Sequence, residues 1–324
     1  MKKLKNLLLV LFPLAVGVFS LCVGRYTVTL SDLWELLSGG DAEKAVRTVV
    51  FNIRLPRMVL AFLAGGGLSV AGVSMQSLFF NPLAAPDTIG ISSAASFGAA
   101  LAMLMGAGAG GVQLSALAFG VAVCIPVMIS GIKKRSIMGT VLLGMVISSV
   151  FNALVSAVKY IADPMDELPA ITFWLMGSMA RANVRTIAAG APFIILGAGV
   201  LILLRWRINL LMLPDEECRA MGERPHILRA VVMLCVSLVS AAVVSMCGLV
   251  GWVGLLVPHM VRALWGADNS AVIPASLFAG GGMMILADTL ARCLTASEIP
   301  LSVITALAGA PVFLLILGKM RSNG

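Results

Sequence analysis

Charge is what this chain has least of. Only 12% of its 324 residues are Asp, Glu, Lys or Arg, and just 15 of those are acidic. Soluble domains carry about a quarter charged residues, so a water-soluble fold is excluded. Histidine is scarcer still: His226 and His259 are too few for a metal cluster. The six cysteines (22, 124, 218, 235, 247 and 293) form no C-x-x-C pair and read as small apolar packing residues. Catalytic signatures are missing as well. The only Gly-Lys, Gly318-Lys319, is followed by Met320 rather than Ser or Thr, so no Walker A loop exists and ATP is not hydrolysed here by that route. Neither G-x-S-x-G nor H-E-x-x-H occurs. The chain is not read as an enzyme, and no cofactor is expected in it.

What is present is oil. Mean hydropathy is +1.02, and apolar runs follow one another from Leu4 to Leu317. About 20 apolar residues cross a hydrocarbon core. The runs predict helices at 4–24, 55–80, 89–107, 112–131, 137–161, 187–206, 228–248, 252–265, 271–292 and 302–318. The eighth is too short to cross at 1.5 Å per residue, so it is a half-span or packed inside the protein. The fold class is thus all-α and polytopic, with about ten transmembrane helices in a single domain, 1–324. Lys2-Lys3-Leu4-Lys5 and the apolar run behind it mimic a signal peptide, but no A-x-A site follows and the run is read as an uncleaved first helix.

A net charge of +8 does not point to nucleic acid, because the basic residues lie in short loops between spans. An even number of helices puts both termini on one side. That side holds 14 of the 23 Lys and Arg, including Lys133-Lys134-Arg135, which places both termini in the cytoplasm. Charges inside spans are few. Asp288 and Arg292 stand one turn apart and can satisfy each other. Ion-coupled carriers keep charged relays at mid-membrane, so the energy for transport is expected from elsewhere; the alternative is an ion-coupled secondary transporter of a small solute.

Two stretches resemble each other. Helix 2, Asn81-Pro82 and a Gly/Ala/Ser-rich third helix match helix 7, Gly254 to Pro258 and the short eighth. Two more spans follow each pair. Helices 2–5 and 7–10 then form two copies of one unit, inverted because one extra span separates them, as in many transporters. Between the copies, residues 207–227 carry Pro214 followed by Asp215, Glu216 and Glu217, which suits a helix start, and Gly222, which suits a stop. By itself this short helix is a solvated connector or something more.

Six strings occur in order: Arg54-Leu-Pro-Arg57; Gly72-x-x-x-Gln76; Asn81-Pro-Leu-Ala84-x-Pro86; Gly251-Trp-Val-Gly-Leu-Leu-Val-Pro258-His259-Met-Val-Arg262; Ala287-Asp288-x-x-Ala-Arg292; and Glu298-Ile-Pro300 with Thr305 to Phe313. Together they resemble the FecCD-type permeases of bacterial ABC importers for iron-siderophores, haem and vitamin B12, over nearly the whole chain. The resemblance implies a type II importer fold in the bacterial cytoplasmic (inner) membrane and a homodimer with a path on its two-fold axis. It also implies two ATPase subunits holding ATP and magnesium, and a soluble or lipid-anchored substrate-binding protein outside. It makes 207–227 the coupling loop to the ATPase, with Pro214, Asp215, Glu216, Arg219 and Gly222. It gives a cytoplasmic gate at Asn81 and Leu83, a second constriction at Ser136 to Thr140, and docking residues for the binding protein at Arg54, Arg57 and Arg292. Helices 5 and 10 line the path, and the 162–186 loop adds a short lid helix. His259 reads as packed, not as a ligand. Phe80 stands where the family often has a basic residue.

Overall fold

In a computed structural model of the chain, residues 2–40, 43–134, 137–295 and 297–322 are described, and they form helices without a strand. The first third comprises α1 (Lys2–Cys22), α2 (Leu30–Ser38), α3 (Lys44–Thr48), α4 (Leu55–Leu78), α5 (Ile91–Leu104) and α6 (Ala109–Ala122). The middle comprises α7 (Cys124–Lys134), α8 (Ile137–Ile161), α9 (Glu167–Leu175), α10 (Val184–Leu203), α11 (Arg205–Leu210) and α12 (Asp215–Ala220). The last part is α13 (Pro225–Cys247), α14 (Val253–Trp265), α15 (Asn269–Cys293) and α16 (Leu301–Ser322). Six helices among the described residues are long and apolar enough to span a bilayer, and four shorter apolar ones accompany them.

The predicted helices are all found, with differences that have local causes. The third is as short as the eighth: α5 has 14 residues and α14 has 13. A 3₁₀ turn at Pro86–Ile89 and a left-handed Gly90 (φ +84°) hold the chain out of the helix before Ile91. The fourth is broken at Val123, because Pro126 has no N–H for the carbonyl of Ala122. The 25–54 loop is largely helical. Thr29 caps α2 in a capping box with Asp32, and α3 runs through a π-helical turn, Val49–Arg54, into α4.

The core is built on α4, which is buried along most of its length. It lies against α15 on one side and α13 on the other. A Cβ on Gly65 would strike the Gly280 carbonyl and one on Gly72 the Gly254 carbonyl, so backbones touch where α4 crosses α15 and α14. Such approach through small residues is how helices adhere when lipid offers no hydrophobic drive. Serines within α4 return their hydroxyls to their own backbone four residues back, Ser69 to Gly65 and Ser74 to Val70.

The two halves share a device. Each first helix of a repeat ends near a left-handed residue, Phe80 (φ +50°) or Gly248 (φ +71°). Each half-length helix begins after another, Gly90 (φ +84°) or Trp252 (φ +67°). Each of those turns rests on a glycine of the repeat's last helix. A Cβ on Gly144 of α8 would reach the Ile89 Cα, and one on Gly309 of α16 would meet the Trp252 ring at 2.9 Å. The Trp252 ring also stands 6.2 Å from Phe313 in a T-shaped pair.

Candidate functional site

Polar side chains that matter here gather at the two ends of α4. At its N-terminal end Arg57 is 5% exposed and faces two carboxylates. It donates from Nε and Nη2 to Asp288 (3.3 and 2.8 Å) and from Nη1 and Nη2 to Glu298 (2.6 and 3.1 Å). Four bonds from one guanidinium fix α4 to α15 and to the segment leading into α16. Bidentate geometry of this kind suits arginine and not lysine. The expected local pair of Asp288 with Arg292 is not formed. Asp288 turns to the facing helix, where Arg57 offers two donors, and Arg292 donates to Ser20 Oγ at 2.9 Å and to the Ser20 carbonyl. Arg54 is 4% exposed and donates to carbonyls at the end of α1, Leu21 and Cys22 (3.2 Å), and to Tyr26.

Arg54, Arg57 and Arg292 are thus brought together at one rim, as the motif order suggests, and Arg54 and Arg57 are turned inward. Three cations against two carboxylates leave one net positive charge on the cluster. The three strings Arg54 to Arg57, Asp288 to Arg292 and Glu298 are one structural unit.

At the other end of α4, Gln76 accepts from Arg262 Nη1 of α14, and its Nε2 lies 3.5 Å from the Leu255 carbonyl. Two further strings meet in that pair. Beside it Ser77 Oγ accepts from Asn269 Nδ2 at 2.9 Å, and the Asn269 backbone N–H donates to Asn209 Oδ1 at 3.0 Å. Asn209 also donates to Asp268 at 2.7 Å. This chain of bonds runs from α11 through the start of α15 to the end of α4. Sequence reading missed Asn209 and Asn269, which lie 60 positions apart with no motif around either.

The segment between α10 and α13 folds as two short helices. Pro214 opens α12, and Gly222 (φ +85°) ends it, with open space around its Cα. Asp215 accepts two bonds from Arg229 of α13 (2.6 and 3.3 Å). Arg207 and Glu223 pair across the loop, with Nη2 to Oε2 at 2.8 Å, and Glu223 holds the Arg207 guanidinium above its ordinary pKa. Buried Cys218 seats α12, while Glu216 and Arg219 project outward. The unit is braced internally and presents an acidic and a basic side chain at its face.

In the α4–α5 connection Asn81 and Leu83 are exposed, and Asn81 Oδ1 accepts from the Leu83 N–H at 2.9 Å. Thr140 is buried, one turn before the contact of Gly144 with Thr88 and Ile89. Ser136 lies outside the described residues. The α9 helix lies within the 162–186 loop. His259 packs 6.1 Å from Phe313.

The comparisons agree with this architecture. The model of the FecCD transport family matches residues 9–319. The chain is 37% identical to the molybdate import system permease protein MolB of Haemophilus influenzae, over 98% of this chain and 96% of that one. It is 32% identical to the hemin transport system permease protein HmuU of Yersinia pestis, over 98% and 95%. A solved inward-facing transporter assigned to the metal-chelate ABC type superposes with a TM-score of 0.89 at 36% identity, covering 96% of this chain and 97% of the other. With the fold, the string-built clusters and these matches in one register, the chain belongs to the FecCD transport family, as a multi-pass permease subunit of ABC importers.

Proposed function

We propose that this subunit pairs with a second copy of itself. The pair passes a metal chelate, an iron–siderophore, haem or cobalamin, from a substrate-binding protein into the cytoplasm by alternating access. The observation that carries the reading is the braced α11–α12 unit, tied through Asn209 and Asn269 to the end of α4 in a chain that holds no ATPase motif. Two separate ATPase subunits supply the work from ATP and magnesium, and grip α12 at Pro214, Asp215, Glu216, Arg219 and Gly222. The end of α4 bearing Gln76 faces the cytoplasm, with both termini. The end bearing Arg57 faces outward from the inner membrane.

In this reading motion of α12 passes along the Asn209–Asn269–Ser77 chain. It displaces the Asn81–Leu83 loop, with Ser136 to Thr140 as the second constriction. α8 and α16 tilt where Gly144 and Gly309 rest on the turns beneath them. The side of α8 that the subunit leaves bare, at Met145, Val146 and Val150 (52%, 60% and 52% exposed), suits the second copy and the path. The net charge of the Arg54–Arg57–Arg292 cluster steers carboxylates of the binding protein toward the rim, which affects rate and register more than affinity. An apolar wall releases cargo easily, as conduction requires.

A second reading, import of molybdate, is favoured by the 37% identity to MolB over 98% of the chain. The test is uptake into vesicles holding the permease, its ATPase subunit and its binding protein. Ferric siderophore, haem, cobalamin and molybdate are offered in turn. Uptake that continues with an inactive ATPase and collapses with an uncoupler would refute the proposal.

A further inference from the structure

A groove of about 860 Å³ opens on the flank of the subunit, between the start of α4, the start of α6 and the start of α10. Its walls are apolar: Phe51, Pro56, Leu114, Leu117 and Phe193. Its rim is polar, with Asn52, Asn183 and Arg185. All three helices enter the bilayer here, so the rim lies at one membrane surface and the walls lie in hydrocarbon. From Val184 to Phe193 α10 descends about 14 Å at ~1.5 Å per residue. Half of a hydrocarbon core is about 15 Å. The groove therefore has the depth of one leaflet. At its mouth Arg185 is exposed, has no carboxylate partner among the described residues, and lies in the first turn of α10, where N–H groups also favour an anion. None of the residues lining the groove is acidic.

We propose that this groove holds an acyl chain of an anionic glycerophospholipid from the adjacent leaflet, with the lipid phosphate against Arg185. The charge of Arg185 selects an anionic over a zwitterionic headgroup, and the apolar walls demand a chain rather than free phosphate. This site is independent of the cargo in the path. A basic side chain near the membrane surface attracts an anionic lipid headgroup by about 1 kcal/mol.

The test is native mass spectrometry of the full-length protein in detergent, with dioleoylphosphatidylglycerol, dioleoylphosphatidylcholine or orthophosphate added. Wild type is expected to retain phosphatidylglycerol in preference to phosphatidylcholine. Arg185→Ala, which removes an exposed and unpaired side chain, should lower phosphatidylglycerol retention about fivefold and leave phosphatidylcholine unchanged, and Arg185→Lys should restore it. Gly110→Leu projects into open space in the groove and should reduce retention of both lipids. Equal retention of phosphatidylglycerol by wild type and Arg185→Ala overturns the proposal. So does orthophosphate binding as well as the lipid, or Arg185→Cys cross-linking to the binding protein while lipid retention is unaltered.

Discussion

Asp288→Ala tests the cluster at the N-terminal end of α4 most directly. Arg57 and Asp288 are 5% and 2% exposed. Removing one partner of a buried ion pair costs about 3–5 kcal/mol, because the other charge stays buried. Here Glu298 keeps two bonds to Arg57, and its side chain is 34% exposed, so water reaches that side of the guanidinium. The cost should fall near the low end, about 3 kcal/mol. Glu298→Ala leaves the buried bidentate pair intact and removes a partly solvated partner, and should cost about 1 kcal/mol. Replacing the pair by apolar residues, Arg57→Met with Asp288→Leu, should recover part of that loss, since two buried charges vanish together while Glu298, 34% exposed, falls back on water. The assay is unfolding in mixed micelles titrated with dodecyl sulfate, followed by helicity. If Asp288→Ala lies within about 0.5 kcal/mol of wild type, or the double variant is no more stable than the single one, the cluster does not hold these helices as described.

Other expectations follow from the same geometry. Gly222→Leu meets open space but a strained left-handed backbone at φ +85°; it should abolish uptake and coupled ATPase activity while size-exclusion chromatography still shows the intact oligomer. Asn269→Ala removes the bond to Ser77 and should destabilise the protein by about 1 kcal/mol, with a larger fractional loss in coupled than in basal ATPase activity of the assembled transporter. Gly72→Ala drives a methyl group into the Gly254 carbonyl and should cost about 1–3 kcal/mol by the same micelle titration.

Much of the architecture is legible in the chain because its solvent is. Apolar length alone locates the helices, and Pro214 with Gly222 brackets α12, Asp215–Ala220. What escapes is anything set by partners far apart. Arg57 and Asp288 are separated by 231 positions, and nothing in either string says that they face each other rather than an incoming protein. The local reading favoured Asp288 with Arg292, at helical spacing, yet the facing helix wins because it offers two aligned donors. The shortness of α5 was missed because apolar Ile89 before it and Met105 to Ala107 after it prolong the run, and only Gly90 and Gly106, both at positive φ, mark its ends. Asn209 and Asn269 were invisible for a simpler reason: two ordinary polar residues at loop ends carry no periodic or spacing signal.

One asymmetry has a mechanical meaning. The inverted copies pivot on matched turns, but one pivot is bare backbone at Gly90 and the other bears the indole of Trp252, clasped by Phe313. Swinging α8 away from its pivot parts the Phe151 ring from Phe97 and Phe119, whose centroids lie 5.7 and 6.4 Å from it. Swinging α16 must also unstack two rings, worth about 0.5–1.5 kcal/mol. Hinges of equal shape are thus braced in different places: on one the ring belongs to the turn itself, on the other the rings stand on the helices beside it, so Phe313→Ala would free the α16 turn and leave the α8 turn as it was.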